Sequence, residues 1–143
     1  MMKTVGELIN SKGAEVQSIS PDNSVYEAVQ KMAEYGIGAL LVMEGDKVIG
    51  ILSERDYARK VILQNRGSKT TKVSEIMTTN VNYAEPDHSV EQCMSLMTEK
   101  RFRHLPVMDG DKVVGMLSIG DLVKEVISEQ QSTIEMLEKY ITA

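Results

Sequence analysis

The sequence predicts an α/β protein of the α+β kind: two copies of a β-α-β-β-α unit, then one more helix. Three observations predict it. The 143-residue chain repeats itself, with Asp121 standing 65 places after Asp56. Within each copy, apolar residues pass from helical spacing to short continuous runs. Each copy joins two such runs through a Gly-Asp turn. Residues 20–62, SPDNSVYEAVQKMAEYGIGALLVMEGDKVIGILSERDYARKVI, lie on residues 85–127, EPDHSVEQCMSLMTEKRFRHLPVMDGDKVVGMLSIGDLVKEVI, with about 19 of 43 positions identical. A repeat this long decides the architecture before any single element does. The flanks match as well, TVGELI from Thr4 resembling KVSEIM from Lys72.

Each element has its own signal. EVQSI (15–19) and NVNYA (80–84) alternate like short half-buried strands. Pro-Asp then opens a turn. Ser24 with Glu27, and Ser89 with Gln92, form capping boxes, in which Ser accepts from the third amide and the longer side chain reaches back. Val25, Ala28, Val29 and Met32 recur at helical spacing, as do Val90, Cys93, Met94 and Met97. Gly36 suits a left-handed helix end. ALLVM (39–43) and LPVM (105–108) read as buried strands. EGDK and DGDK turn the chain back into VIGIL (48–52) and VVGML (113–117). A second helix starts after Ser53 and after Ser118.

The expected organisation is a first repeat at 5–64, a polar linker at 65–72, a second repeat at 73–127 and a C-terminal helix at 128–143. One repeat alone buries too little surface to be stable, so the two are expected to pack together. Ile127, Ile134, Leu137 and Ile141 form one apolar stripe. It either caps the pair of repeats or meets a second subunit.

Composition narrows the function. Charged residues make up 26% and the hydrophobic set 42%, which supports a packed core. A net charge of −5 argues against a nucleic-acid partner, and the absence of Trp argues against a base-stacking platform. The single cysteine, Cys93, permits no internal disulfide and points to a reducing, cytoplasmic setting. No apolar run approaches the roughly 20 residues that span a membrane, so no membrane association is expected. The N-terminus lacks the apolar core of a signal peptide.

The repeated phrase, GDKVIGILSERD (45–56) and GDKVVGMLSIGD (110–121), carries the chemistry. Ser53–Asp56 and Ser118–Asp121 are helix caps on the plainest reading. A cap alone does not call for Gly50 and Gly115, whose missing side chains admit a ligand or a second backbone. The same geometry suits a nucleotide. Amides at a helix start favour phosphate, a Ser hydroxyl can donate to it, and an ionised Asp can accept both hydroxyls of a ribose. Other chemistry is poorly supported. Two histidines and a distant cysteine make no metal spacing. Gly36-Ile-Gly38 lacks the third glycine of a dinucleotide fingerprint. Ser53, Asp56 and His104 make a poor hydrolytic triad, because Ser and Asp already have competing roles. No enzyme activity is therefore expected. Cys93 and most methionines read as core, and His88 as a solvated turn residue.

Together PDxSV, RHLPV, GDKxxGxLS and SxxD in a duplicated unit resemble the CBS-domain family, and the pair resembles a Bateman module. The likeness covers about residues 5–127 and is to the stand-alone bacterial and archaeal tandem type. It implies sheets packed face to face about a pseudo-twofold axis, with two clefts between the repeats. The clefts would take AMP, ADP, ATP, NAD or S-adenosylmethionine, with AMP and NAD foremost. A homodimer is implied, and a regulatory, energy-sensing role read by a protein partner the sequence does not identify.

By this resemblance Asp56 and Asp121 hold ribose, Ser53 and Ser118 lie near phosphate, and Ile51 and Met116 contact adenine. Each cleft also borrows from the other repeat: Asn80, Val81, Phe102, Arg103 and His104 join Asp56, while Val16, Ile37, Gly38 and Ala39 join Asp121. Phe102 either packs or stacks, and His104 is either structural or a phosphate contact. Arg55, Arg103 and His104 would make the Asp56 cleft the phosphate-binding and tighter one. Lys12 is the cation near Asp121. The alternative function is an adaptor with vestigial clefts that acts through its C-terminal helix.

Overall fold

The computed structural model describes residues 3–13 and 16–142. Glu15, the first residue of the expected opening strand, lies outside them. In chain order the elements are α1 (Val5–Lys12), β1 (Ser18–Ile19), α2 (Val25–Tyr35), β2 (Ala39–Glu44), β3 (Lys47–Ser53), α3 (Glu54–Tyr57) and a π-helical stretch (Ala58–Ile62). Then come α4 (Val73–Ile76), α5 (Val90–Lys100), β4 (His104–Asp109), β5 (Lys112–Ser118) and α6 (Ile119–Thr142). They gather into two compact units, and each unit has its own core.

One unit holds β1 through α4. β2 and β3 form an antiparallel hairpin with Ala39 opposite Ser53 and Val42 opposite Gly50, and β1 adds to β2 in parallel. Gly45, at φ 63°, makes the turn. α2 starts at the expected capping box, where Ser24 Oγ and a Glu27 carboxylate oxygen each accept the other residue's amide at 3.1 Å. It ends on Gly36 in the left-handed region. Val25, Ala28 and Met32 of α2 bury against Leu40, Val42, Leu52, Val73 and Ile76. The polar stretch before α4 is folded onto the start of α2. Thr71 and Ser68 carbonyls accept from the Val25 and Tyr26 amides at 2.8 and 2.9 Å. Those amides belong to the first helical turn and have no partner inside the helix.

The other unit holds α1, α5, β4, β5 from Val114 onward, and α6. Its core joins Val5, Leu8 and Ile9 of α1 to Val90, Cys93, Met97, Leu105, Val107, Leu117 and Leu122. So α1, which opens the first repeat, packs with the later elements of the second, and α4, which opens the second, packs with those of the first. α5 is capped by Ser89 and Gln92 as expected and ends on Arg101 at φ 59°, the left-handed position that Gly36 fills in α2.

Three expectations need correcting. The strand expected at 80–84 reduces to one parallel bridge, Ala84 to Val107. Asn80, Asn82 and Tyr83 are exposed and only Ala84 is buried, so the segment has no apolar face to pin it. The strand expected at 15–19 likewise shortens to Ser18–Ile19. Finally, α6 runs unbroken for 24 residues. Only its start packs, through Leu122 and Glu125. Ile127, Ile134, Leu137 and Ile141 are 58%, 49%, 56% and 79% exposed among the described residues.

Candidate functional site

The Ser-x-x-Asp motif recurs once in each unit, at the end of a strand that turns directly into a helix. In the first repeat, Ser53 closes β3 and caps α3. Asp56 Oδ2 accepts from the Ser53 amide and hydroxyl at 3.0 and 3.1 Å, and Ser53 Oγ accepts from the Asp56 amide at 3.2 Å. The cap thus fixes one carboxylate oxygen. The other, Oδ1, accepts from Thr78 Oγ1 at 3.3 Å and lies 3.2 Å from Lys60 Nζ. Thr78 is held there by Ile51, with which it exchanges two backbone hydrogen bonds of 3.0 and 2.9 Å. Asn80 and Val81 follow Thr78 by two and three residues.

In the second repeat, Asp121 Oδ2 accepts from the Ser118 amide at 2.8 Å, and Ser118 Oγ accepts from the Asp121 amide at 3.1 Å. The cation here comes from far along the chain. Lys12 Nζ donates to Asp121 Oδ2 at 2.6 Å and to the Met116 carbonyl at 2.7 Å. Partial burial pushes the Asp121 carboxyl up. The Lys12 and Ser118 hydrogen bonds and the Lys12 charge more than offset this, so it stays below the ordinary aspartate value.

One sequence difference explains the two cation sources. Lys60 stands one helical turn after Asp56 and pairs with it at i,i+4. The matching position of the second repeat is Glu125, which cannot neutralise Asp121. Glu125 instead lies buried, 4.0 Å from Lys3.

The two motif glycines are needed for close packing. A Cβ on Gly50 would sit 2.8 Å from the Met77 sulfur and 3.0 Å from the Thr78 carbonyl oxygen. One on Gly115 would collide with the Ile9 side chain. In both units the obstacle comes from the segment that opens the opposite repeat, just past α4 at Gly50 and within α1 at Gly115.

The remaining sequence-derived residues fall as follows. Gly38 and Ala39 flank the Asp56 motif of their own repeat: the Gly38 carbonyl accepts from the Glu54 amide at 3.0 Å, and Ala39 pairs with Ser53. Arg103 stands in the same relation to the second motif, its carbonyl accepting from the Ile119 amide at 2.8 Å. Phe102 packs against the core of its unit, and Ile37 against that of the other. His104 is half-buried at the head of β4, while Arg55 and Arg103 are exposed. Val16 and Met116 are half-buried.

Sequence reasoning did not single out Lys60 or Thr78. The i,i+4 spacing from Asp56 was a signal for Lys60. Thr78 had none, because its approach depends on how α4 packs.

Glu85, Asp87 and His88 bring potential ligand atoms within 4.8 Å of one another, a grouping the sequence spacing did not suggest. His88 Nδ1 accepts from the Glu85 amide at 3.0 Å, which places the proton of a neutral ring on Nε2. Both ring nitrogens are then committed, and the group serves as a turn ahead of α5. An open depression of about 360 Å³ lies along the outer side of α2, lined by Ile19, Asn23, Glu27, Gln30, Lys31, Glu34 and Tyr35, away from the Asp56 motif.

Fold and motifs define a duplicated α/β module with one Ser-x-x-Asp motif per repeat. The chain belongs to the CBS-domain family: the CBS domain model matches residues 5–63 and 73–128. It is 39% identical over 147 residues to the mitochondrial CBS domain-containing protein CBSX3 of Arabidopsis thaliana, covering 96% of this chain and 71% of that one. The solved structure of a putative signal-transduction protein with CBS domains from Burkholderia ambifaria is 53% identical, with TM-score 0.86 over 90% of this chain and 96% of that one. The CBS-domain structure NE2398 is 54% identical, with TM-score 0.85 over 89% and 99%. Proteins of this family are generally regulatory, ligand-binding modules, and the stand-alone ones are typically not enzymes. Among the described residues, no helix is long and apolar enough to cross a membrane.

Proposed function

We propose that this chain is a regulatory module that binds an adenine nucleotide, AMP or NAD before others, and passes its occupancy to a protein partner. One observation carries the reading. In both repeats the Ser-x-x-Asp carboxylate is held by its own cap in a fixed orientation at a strand end, as a ribose-binding acid has to be. Asp56 and Asp121 would hold ribose, Ile51 and Met116 would flank adenine, and Arg55 would favour phosphate at the Asp56 side. The ligand would act by favouring one relative orientation of the repeats.

Thermal unfolding of ligand-stripped protein with AMP, ADP, ATP, NAD⁺, NADH and S-adenosylmethionine tests this. A ligand at ~100 times its Kd stabilises the folded state by about 2.7 kcal/mol. A shift given by one ligand and diminished by Asp56→Ala supports the reading. Absence of a shift with all six overturns it.

A second reading rests on the exposed stripe of α6. Ile127, Ile134 and Ile141 recur every seven residues, with Leu137 at the intervening position. In a parallel coiled coil, Ile at one heptad position and Leu at the other favours two helices. The occupant would be α6 of a second copy.

A further inference from the structure

Asp121 already holds a cation, and that cation is not part of its own motif. Lys12, the last residue of α1, donates to Asp121 Oδ2 at 2.6 Å and to the Met116 carbonyl at 2.7 Å. The same carboxylate oxygen accepts the Ser118 amide, so it carries two donors before any ligand arrives. Met116 and Asp121 are the residues that would meet adenine and ribose. Lys12 therefore bridges the two positions a nucleoside needs. The Asp56 half-site differs: its cation, Lys60, sits on the adjoining helical turn and makes a longer 3.2 Å contact to Oδ1, apart from the capped oxygen.

We propose that Lys12 is a displaceable internal latch that makes the Asp121 half-site selective for phosphorylated ligands. The inference deepens the nucleotide-binding reading and rests on it. A neutral nucleoside that offers its diol to Asp121 must break a charge-assisted hydrogen bond and gives the freed ammonium nothing in return. Such bonds are the strong ones, and a neutral diol supplies no charge to replace the one it displaces. A nucleotide brings its own anion. Lys12 can pass from the carboxylate to the phosphate and exchange one charge-assisted bond for another while ribose takes its place on Asp121. Glu125 stands where the first repeat has Lys60, and the cation paired with Asp121 is Lys12 of α1, so the selectivity resides in that lysine.

The test is calorimetric titration of AMP and adenosine into protein carrying Asp56→Ala, so that only the Asp121 half-site reports, with and without Lys12→Met. Lys12→Gln serves as a second variant should Lys12→Met fail to fold. With Lys12 present, AMP should bind at least tenfold tighter than adenosine. In either Lys12 variant the AMP-to-adenosine preference should fall at least tenfold, with adenosine binding tighter than before. An unchanged preference, or equal weakening of both ligands, overturns the latch. If wild-type protein binds AMP but the Asp56→Ala protein binds neither ligand, the latch is overturned and the nucleotide-binding reading stands. If wild-type protein binds no nucleotide, both fall.

Discussion

Gly50 lies against Met77 so closely that a single methyl group between them would sit 2.8 Å from the thioether sulfur. The Thr78 carbonyl, 3.0 Å from the same point, cannot yield as a side chain can, because it is paired with the Ile51 amide. Gly50→Ala should therefore destabilise the protein by about 1–3 kcal/mol, the usual cost of overpacking. Gly115→Ala should do the same against Ile9. There the obstacle is a side chain, so shortening it helps: Gly115→Ala with Ile9→Val should cost less than the sum of the two single changes. Urea denaturation of the four variants checks this, and strict additivity would remove the contact as the cause.

The Lys12–Asp121 pair sets a pH dependence. Asp121 has a folded-state pKa below its ordinary value, as do Glu27 and Glu75, whose capping amides of Ser24 and Lys72 are the main cause. A depressed carboxyl contributes stability that is present above its unfolded pKa, about 4, and is lost as pH falls through the folded pKa. Stability should be flat between pH 6 and 8 by this contribution and should drop below pH 4. Lys12→Met should flatten the drop, because the Asp121 carboxyl loses the partner that lowers it. Denaturation midpoints at pH 3.5 and 7 for both proteins decide the matter. Equal acid sensitivity in the two would rule the pair out as a source.

The caps of α2 and α5 should matter alike, since the two boxes share one geometry. Ser24→Ala and Ser89→Ala should each cost about 1 kcal/mol, and replacement by Asp or Asn should restore most of the loss. Chemical denaturation measures both. A loss at one cap only would mean that the neighbouring segment, the 68–71 stretch at α2 or the N-terminal end of α1 at α5, already satisfies the helix start.

The local signals were legible because they are local. Ser24, Glu27 and Gly36 bound α2 through contacts no more than a few residues long, and the Gly-Asp turns fix both hairpins. The motif residues Ser53, Asp56, Ser118 and Asp121 cap their helices through the same short-range bonds. What the sequence did not show depends on packing between distant segments. Nothing near Thr78 says it will reach Asp56, and Lys12 was placed near Asp121, 109 residues away, only through the family resemblance and not by any local signal. The reason for Gly50 and Gly115 had the same origin. A ligand or a backbone would satisfy the pattern equally, and only the docking of α4 and α1 supplies the obstacle. Alternation misled at 80–84, because a single buried residue, Ala84, is too little to pin a strand.

The exposed stripe of α6 makes the last prediction. Val123, Ile127, Ile134, Leu137 and Ile141 leave apolar surface in water along one helix, and their seven-residue spacing sets the register of a parallel pair. Gln130, at the position between Ile127 and Ile134, would face its counterpart and weaken the pair while fixing its alignment. Ile134→Glu with Leu137→Glu should then shift the protein toward monomer in sedimentation equilibrium at micromolar concentration. The thermal midpoint of the monomeric species should stay within a degree or two, because neither side chain packs in either core. If wild type is already monomeric, α6 does not pair with a second copy. If the double variant keeps its oligomeric state, the association runs through another surface.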